Sequence, residues 1–236
     1  MFFIEEDSMS EAGHWIASIG NYSFNMDTLV TMWVAMVFLV VLAFVATRKL
    51  AIVPSRVQAF SESLMGFFWG LTDSMIGHEG RKHIPLVASL FLFIVTANLM
   101  GQLPLGLIHL KHGELASATN DINMTAALAV IVLIYYVSAG FAKKKLKFLL
   151  HDFSFVSIIL FLVEILEMIT RPLTLALRLF GNILAGEILI SALLGMCAYL
   201  LPLPIMFFEL LVACVQALVF TMLTIVYISS AISEEH

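Results

Sequence analysis

LVTMWVAMVFLVVLAFVA, residues 29–46, is a run of 18 residues without a single charge, and Arg48 and Lys49 close it. About 17–25 mostly apolar residues suffice for a helix to cross a bilayer. The rest of the chain has the same character. Of its 236 residues 61% are hydrophobic and 12% charged, and the mean hydropathy is +1.01. A soluble domain is about 45–50% apolar and roughly 25% charged, because it must cover its core with polar side chains. This composition excludes such a domain and fits a chain whose solvent is lipid.

Outward from this run, the fold expected is an all-α membrane protein. It has about five membrane-embedded helices and one amphipathic surface helix, in a single membrane domain over 1–236. Residues 1–28 form a polar, acidic external segment, in which Asn25 and Asp27 are candidate caps for the span at 29–46. Glu5, Glu6 and Asp7, with no basic residue before Arg48, are the wrong pattern for a cleaved signal peptide. In 54–80, Val57, Phe60, Leu64, Phe67, Leu71 and Met75 recur every three or four residues among Arg56, Gln58, Ser61, Glu62 and Asp73. That periodicity predicts a helix lying on the membrane surface. Spans follow at 84–108 and 122–142. From 153 onward the chain is almost continuously apolar, broken by Leu201-Pro202-Leu203-Pro204 into long helices at 153–200 and 205–231. Each exceeds one upright crossing, so strong tilt is expected.

Basic residues mark the cytoplasmic side of membrane proteins. The loop after the first span holds Arg48, Lys49, Arg56, Arg81 and Lys82, the loop after the third holds Lys143, Lys144, Lys145 and Lys147, and the loop at 109–121 holds Lys111 alone. The N-terminus is therefore expected outside and the C-terminus in the cytoplasm. Ten of the 12 basic residues are placed in this way; Arg171 and Arg178 are left over.

Both lie in EILEMITRPLTLALRLFGNILAGE, residues 164–187. An ionisable group at membrane depth costs about 2.5–3.5 kcal/mol on insertion scales. At about 100° per residue, Glu164, Glu167, Arg171, Thr174 and Asn182 all fall within about 40° of Arg178. One helix face is thus a polar stripe that must meet protein or water. Glu187 falls on the opposite face. Arg171 can pair with Glu167 four residues earlier, beside a kink or helix start at Pro172, so a purely structural role suits it equally well. Arg178 has its nearest same-face acid eleven residues away, about 16 Å along the axis, and needs a partner from elsewhere. In the last helix Glu209, Gln216 and Tyr227 share a second stripe. A membrane interface with interhelical hydrogen bonds explains Gln216 and Tyr227, but the lone carboxylate in FFELLV must titrate or meet water.

No phosphate-binding glycine loop, nucleophile motif or metal spacing occurs, so no cofactor and no metal are expected. His109 and His112 lack a Cys or acid cluster beside them, and Cys197 and Cys214 read as small hydrophobes in apolar stretches. Three functional readings meet the pattern: a proton-conducting subunit, a secondary transporter binding an anionic solute at the stripe, and a structural scaffold. Transporters often show paired repeats, and none is evident; a scaffold leaves Arg178 and Glu209 unexplained.

LALRLFGNILAGE, with VQALVFTMLTIVYIS at 215–229, TANLMGQLP in the second span, NDINMT before the third and the terminal SEEH, resembles subunit a of the F-type ATP synthase, bacterial type. The resemblance implies a non-catalytic, proton-translocating stator subunit in a bacterial inner membrane. Two aqueous half-channels would serve a rotating ring of c subunits. It implies peripheral-stalk b subunits, the remainder of the ATP synthase and membrane lipids as partners, and no nucleic acid. Arg178 matches the essential arginine facing the ring carboxylate. Asn182, Glu187 and Gln216 match channel or interface positions, Glu164 an acid on the cytoplasmic side, and Glu209 a position that works with Glu187. Arg171, Glu167, Asp121 and Asn123 fall at structural or channel-mouth positions.

Overall fold

A computed structural model describes residues 16–19, 22–48, 51–102, 118–144, 155–196 and 202–233. Six α-helices dominate: α1 (Met26–Thr47), α2 (Arg56–Ile76), α3 (Ile84–Gln102), α4 (Ile122–Lys144), α5 (Phe155–Met196) and α6 (Pro202–Ile232). A small antiparallel hairpin, β1 (Ile16–Ile19) and β2 (Tyr22–Asn25), precedes α1, with Ile16 opposite Asn25 and Ile19 opposite Tyr22. The hairpin is an addition to the all-α expectation. Lys111, His109, His112, Lys145, Lys147 and Cys197 lie outside the described residues.

Five helical segments are long and apolar enough to cross a membrane, running from Met26–Thr47 to Leu203–Ile232, and the chain is a multi-pass membrane protein. α2 is not among them. The span in α5, Phe161–Leu193, has 33 residues. At about 1.5 Å per residue those 33 residues exceed what one upright crossing of about 30 Å of hydrocarbon needs. Pro172 sits inside this helix without ending it.

The helix ends differ from the sequence expectation for local reasons. α1 begins at Met26, three residues before the uncharged run at 29–46. Asn25 occupies the cap position but makes no capping bond; its amide instead donates to Asp121 Oδ2 at 3.0 Å. Asp27 lies inside the first turn and accepts from the Thr28 backbone N–H at 2.9 Å. α2 is shorter than 54–80. Ser55 Oγ accepts from the Gln58 N–H at its start. Gly77, at φ 77°, stops it in a conformation that side chains with a Cβ rarely adopt. A 3-10 turn, His78–His83, follows. Gly80 in that turn sits so close to α2 that a Cβ would lie 2.7 Å from Thr72 Cγ2.

The chain forms two compact units, one of residues 50–91, 122–181 and 216–236, the other of residues 1–49, 92–121 and 182–215. The first is built around Phe68 of α2, which packs with Ile84, Val87 and Ala88 of α3 and Ile225 of α6. The six apolar positions that defined α2 by their spacing divide here. Leu64, Leu71 and Met75 lie against this core, whereas Val57, Phe60 and Phe67 are exposed. The 3-10 turn is fastened to α4 twice, by Lys143 Nζ to Glu79 Oε2 at 2.8 Å and by His83 Nδ1 to the Tyr135 hydroxyl at 2.9 Å. Ser229 of α6 donates to the Met75 carbonyl at 2.8 Å.

In the second unit α1 contacts β1 and a short 3-10 turn, Ala118–Asn120. Hydroxyls inside the helices mostly bond their own backbone: Thr31 to Asp27, Thr72 to Phe68, Thr174 to Thr170, Thr221 to Ala217 and Thr224 to Phe220, all within 2.9 Å.

Phe68 is fully buried and holds α2 to α3 and α6. Phe68→Ala should destabilise the first unit by about 3–5 kcal/mol, the cost of emptying a buried aromatic site. A clearly lowered unfolding temperature in detergent, beside a near-neutral Phe60→Ala, is the expected result.

Candidate functional site

The face that α5 turns inward is apolar. Leu175, Ala176, Leu179 and Ile183 are buried, at 1%, 5%, 0% and 3% exposure. Their spacing puts Thr174, Arg178, Gly181 and Ala185 on the other side, where all four are exposed. The polar stripe therefore points out of this chain at Arg178. Among the described residues Arg178 makes no ion pair and no hydrogen bond. A Cβ built at Gly181, one turn on, would meet nothing within 4 Å.

Towards the start of α5 the stripe is occupied differently. Arg171 forms an ion pair with Glu167 and lies with its guanidinium carbon 5.2 Å from the Tyr227 ring centre. The Tyr227 ring in turn lies 6.1 Å from that of Tyr136 on α4. Charge neutralisation and the ring face together explain how a partly buried guanidinium is tolerated there. Tyr136 is 2% exposed, and its hydroxyl has no partner among the described residues. Gln216 belongs to this same unit. It is buried, and its Nε2 lacks a partner among the described residues. Glu164 is half-buried and partnered.

The second unit holds the other carboxylates. Glu209 on α6 is 8% exposed, and its Oε2 is buried without a partner among the described residues. Its head lies directly against Gly186 of α5, where a Cβ would come within 1.8 Å of Glu209 Oε1 and 2.4 Å of its Cδ. Glycine at 186 is thus the space that the carboxyl group fills. Glu187, the next residue, accepts a hydrogen bond from Asn120 Nδ2. Asn98 of α3 is 1% exposed and donates to the Ala213 carbonyl of α6 at 3.3 Å, leaving its Oδ1 unpartnered among the described residues. Asp27 and Asp121 complete the acids described in this unit, and Arg48 at the far end of α1 is its one described basic residue. Asn123, in the first turn of α4, is exposed and partnered; Asn182 is half-buried in the second unit.

Buried polar atoms almost always find a partner, and ordered water supplies it where protein does not. Glu209, Asn98 and Asn120 each bring such an atom into one unit, and Tyr136 and Gln216 into the other. Each unit therefore carries buried polar atoms of the kind that ordered water commonly partners. Glu187 and Glu209 can bind and release protons, and Arg178 cannot. No group of three His, Cys, Asp or Glu able to hold a metal ion occurs among the described residues.

Sequence reasoning did not single out Asn120 or Tyr136. Asn120 stood in plain view as the first residue of NDINMT. Its signal was an amide next to an acid at a helix start, where a capping role reads just as well. Tyr136 offered no signal in LIYYVS, because only burial distinguishes it from Tyr135.

Residues 29–229 match the family described as ATP synthase A chain. A protein of Gloeobacter violaceus, named ATP synthase subunit a, is 43% identical over 224 residues, covering 94% of this chain and 90% of that protein. The chain belongs to the ATP synthase A chain family.

The fit between Gly186 and Glu209 makes a functional prediction. Gly186→Ala meets only the end of a flexible side chain, so Glu209 should swing aside while the helices stay packed. The expected outcome is an assembled, thermally unchanged protein whose proton flux in vesicles falls at least several-fold. Undiminished flux would show that the position of Glu209 does not matter.

Proposed function

We propose that the chain is the proton-translocating stator subunit of an ATP synthase membrane sector, itself non-catalytic. It would supply two aqueous half-channels to a rotating ring of c subunits and a fixed charge that keeps them apart. The observation that carries this reading is Arg178, exposed on α5 with no ion-pair or hydrogen-bond partner among the described residues. A guanidinium facing hydrocarbon costs several kcal/mol. A carboxylate on a neighbouring subunit removes that cost, and membership of the ATP synthase A chain family supports a ring carboxylate as that partner.

The chemistry follows from the side chain. Arginine stays protonated at any pH a protein meets, whereas lysine can lose its proton when buried. A permanent positive charge favours the ionised ring carboxylate passing it, so each ring site releases its proton before it goes by. It also repels a proton that would otherwise step straight from one half-channel to the other. Protons must then ride the ring. Each charge that crosses the membrane releases about 2.3 kcal/mol per 100 mV, which is the source of torque.

Glu187 and Glu209 belong to one unit with the N-terminal segment and the loop before α4. The distribution of Lys and Arg assigns those segments to the outer side of a bacterial inner membrane, with the C-terminus in the cytoplasm. This supports Glu187 and Glu209 as acids of the outer half-channel. Glu164, in the other unit, suits the cytoplasmic one. Asn182 and Gln216 serve as interface or channel positions, and Arg171 with Glu167 as a structural pair at the channel mouth. Asp121 and Asn123 hold the mouth on the outer side. Peripheral-stalk b subunits and lipid would cover the apolar flank of α1, where Trp33, Val37, Phe38, Val40 and Phe44 are exposed.

The decisive variant is Arg178→Lys, which keeps the charge at neutral pH but allows it to be lost. In vesicles containing the whole complex, ATP-driven proton pumping should vanish while the subunits still co-purify. Normal pumping by this variant would end the proposal. Glu187→Gln and Glu209→Gln should each slow proton flux; parental flux in both would remove the pair from the path.

A further inference from the structure

Glu187 is held by a side chain that neither α5 nor α6 supplies. Asn120 is the last residue of the turn Ala118–Asn120, and its Nδ2 donates to Glu187 Oε2. The turn is anchored from behind. Ala118 and Thr119 are both 0% exposed, and Asp121, the next residue, accepts from Asn25 at the start of α1 at 3.0 Å. Asn120 is therefore presented to Glu187 by a turn whose neighbouring residues are buried or hydrogen-bonded on either side.

The other end of the same amide carries the second observation. Asn120 Oδ1 is buried and has no partner among the described residues. One side of the group is engaged with a carboxylate, and the other is a buried acceptor without a partner among the described residues. A neutral amide can do both at once, whereas an acid, a base or a hydroxyl in its place could not offer the same pair of functions without a change of protonation or reach.

We propose that Asn120 is a positioning residue for proton transfer at Glu187: its N–H fixes the carboxylate, and its carbonyl oxygen holds the water that exchanges a proton with it. The inference rests on the proton-conducting role given above. In the transfer an O–H bond breaks in a protonated water and one forms on the Glu187 carboxylate, leaving neutral water. Asn120 neither gains nor loses a proton. The geometry also sets a polarity, because the donor must stand on the turn and the acceptor on α5, or the reverse.

That polarity is the test. Asn120→Asp keeps the size, removes the donor and sets two carboxyl groups face to face; Asn120→Ala removes the amide without adding an acid. In the whole complex reconstituted in vesicles, with assembly checked by co-purification, passive proton flux through the membrane sector should fall about tenfold in both, the order of one hydrogen bond to a charged group. The exchange Asn120→Asp with Glu187→Gln restores an amide–carboxylate pair with its ends reversed. It should recover at least several-fold over Asn120→Asp alone, a departure from additivity that only direct contact produces. Parental flux in both single variants, with Glu187→Gln impaired, overturns this inference and leaves the proton-conducting role standing. Parental flux in Glu187→Gln takes Glu187 out of the proton path and overturns this inference with it, while the reading of Arg178 is tested separately by Arg178→Lys. An exchanged pair no better than Asn120→Asp assigns Asn120 to folding and overturns the positioning role.

Discussion

A guanidinium that cannot shed its proton is the most expensive side chain this chain puts among apolar helices, and the arrangement of α5 follows from it. The helix buries Leu175, Ala176, Leu179 and Ile183 and leaves Arg178 on the opposite side. No acid of the chain neutralises Arg178 among the described residues, although Arg171, only seven residues earlier, is neutralised at once by Glu167. Two arginines on one stripe thus meet opposite fates. One is held by an acid and the Tyr227 ring, and the other stands exposed without an ion pair or hydrogen bond among the described residues.

Glu209 and Gly186 state the same principle in terms of space. A buried carboxyl group needs room as well as water, and the room comes from a missing Cβ on the neighbouring helix. A small residue in a membrane helix is commonly read as a place where backbones approach. At 186 it is a place where a buried carboxyl group is admitted.

Much of this was legible in the sequence because lipid imposes a simple rule: long uncharged runs become helices, and charges inside them stand out. The five crossings, the surface character of α2 and the isolation of Arg178 all follow from that rule. The boundaries followed less well, since they depend on single contacts. Asn25 looked like a cap, but its amide is taken by Asp121, 96 residues away. The hairpin before α1 is short and carries no periodicity long enough to read. Gly181 and Gly186 look alike in the sequence, yet one lies open and the other accommodates Glu209. Asn120 escaped notice because its importance lies in what it touches, 67 residues along the chain.

The threonines of α6 bear on how such helices should be counted. Thr221 and Thr224 return their hydroxyl protons to carbonyls of the preceding turn, at 2.7 and 2.9 Å, and are fully buried. A hydroxyl engaged in this way has no donor left for a neighbouring helix and offers only its oxygen as an acceptor. The buried side-chain atoms of α6 left without a partner among the described residues are then those of Glu209 and Gln216, about two turns apart. A tally of the polar residues of α6 would therefore overstate how many of its side chains can donate beyond their own helix.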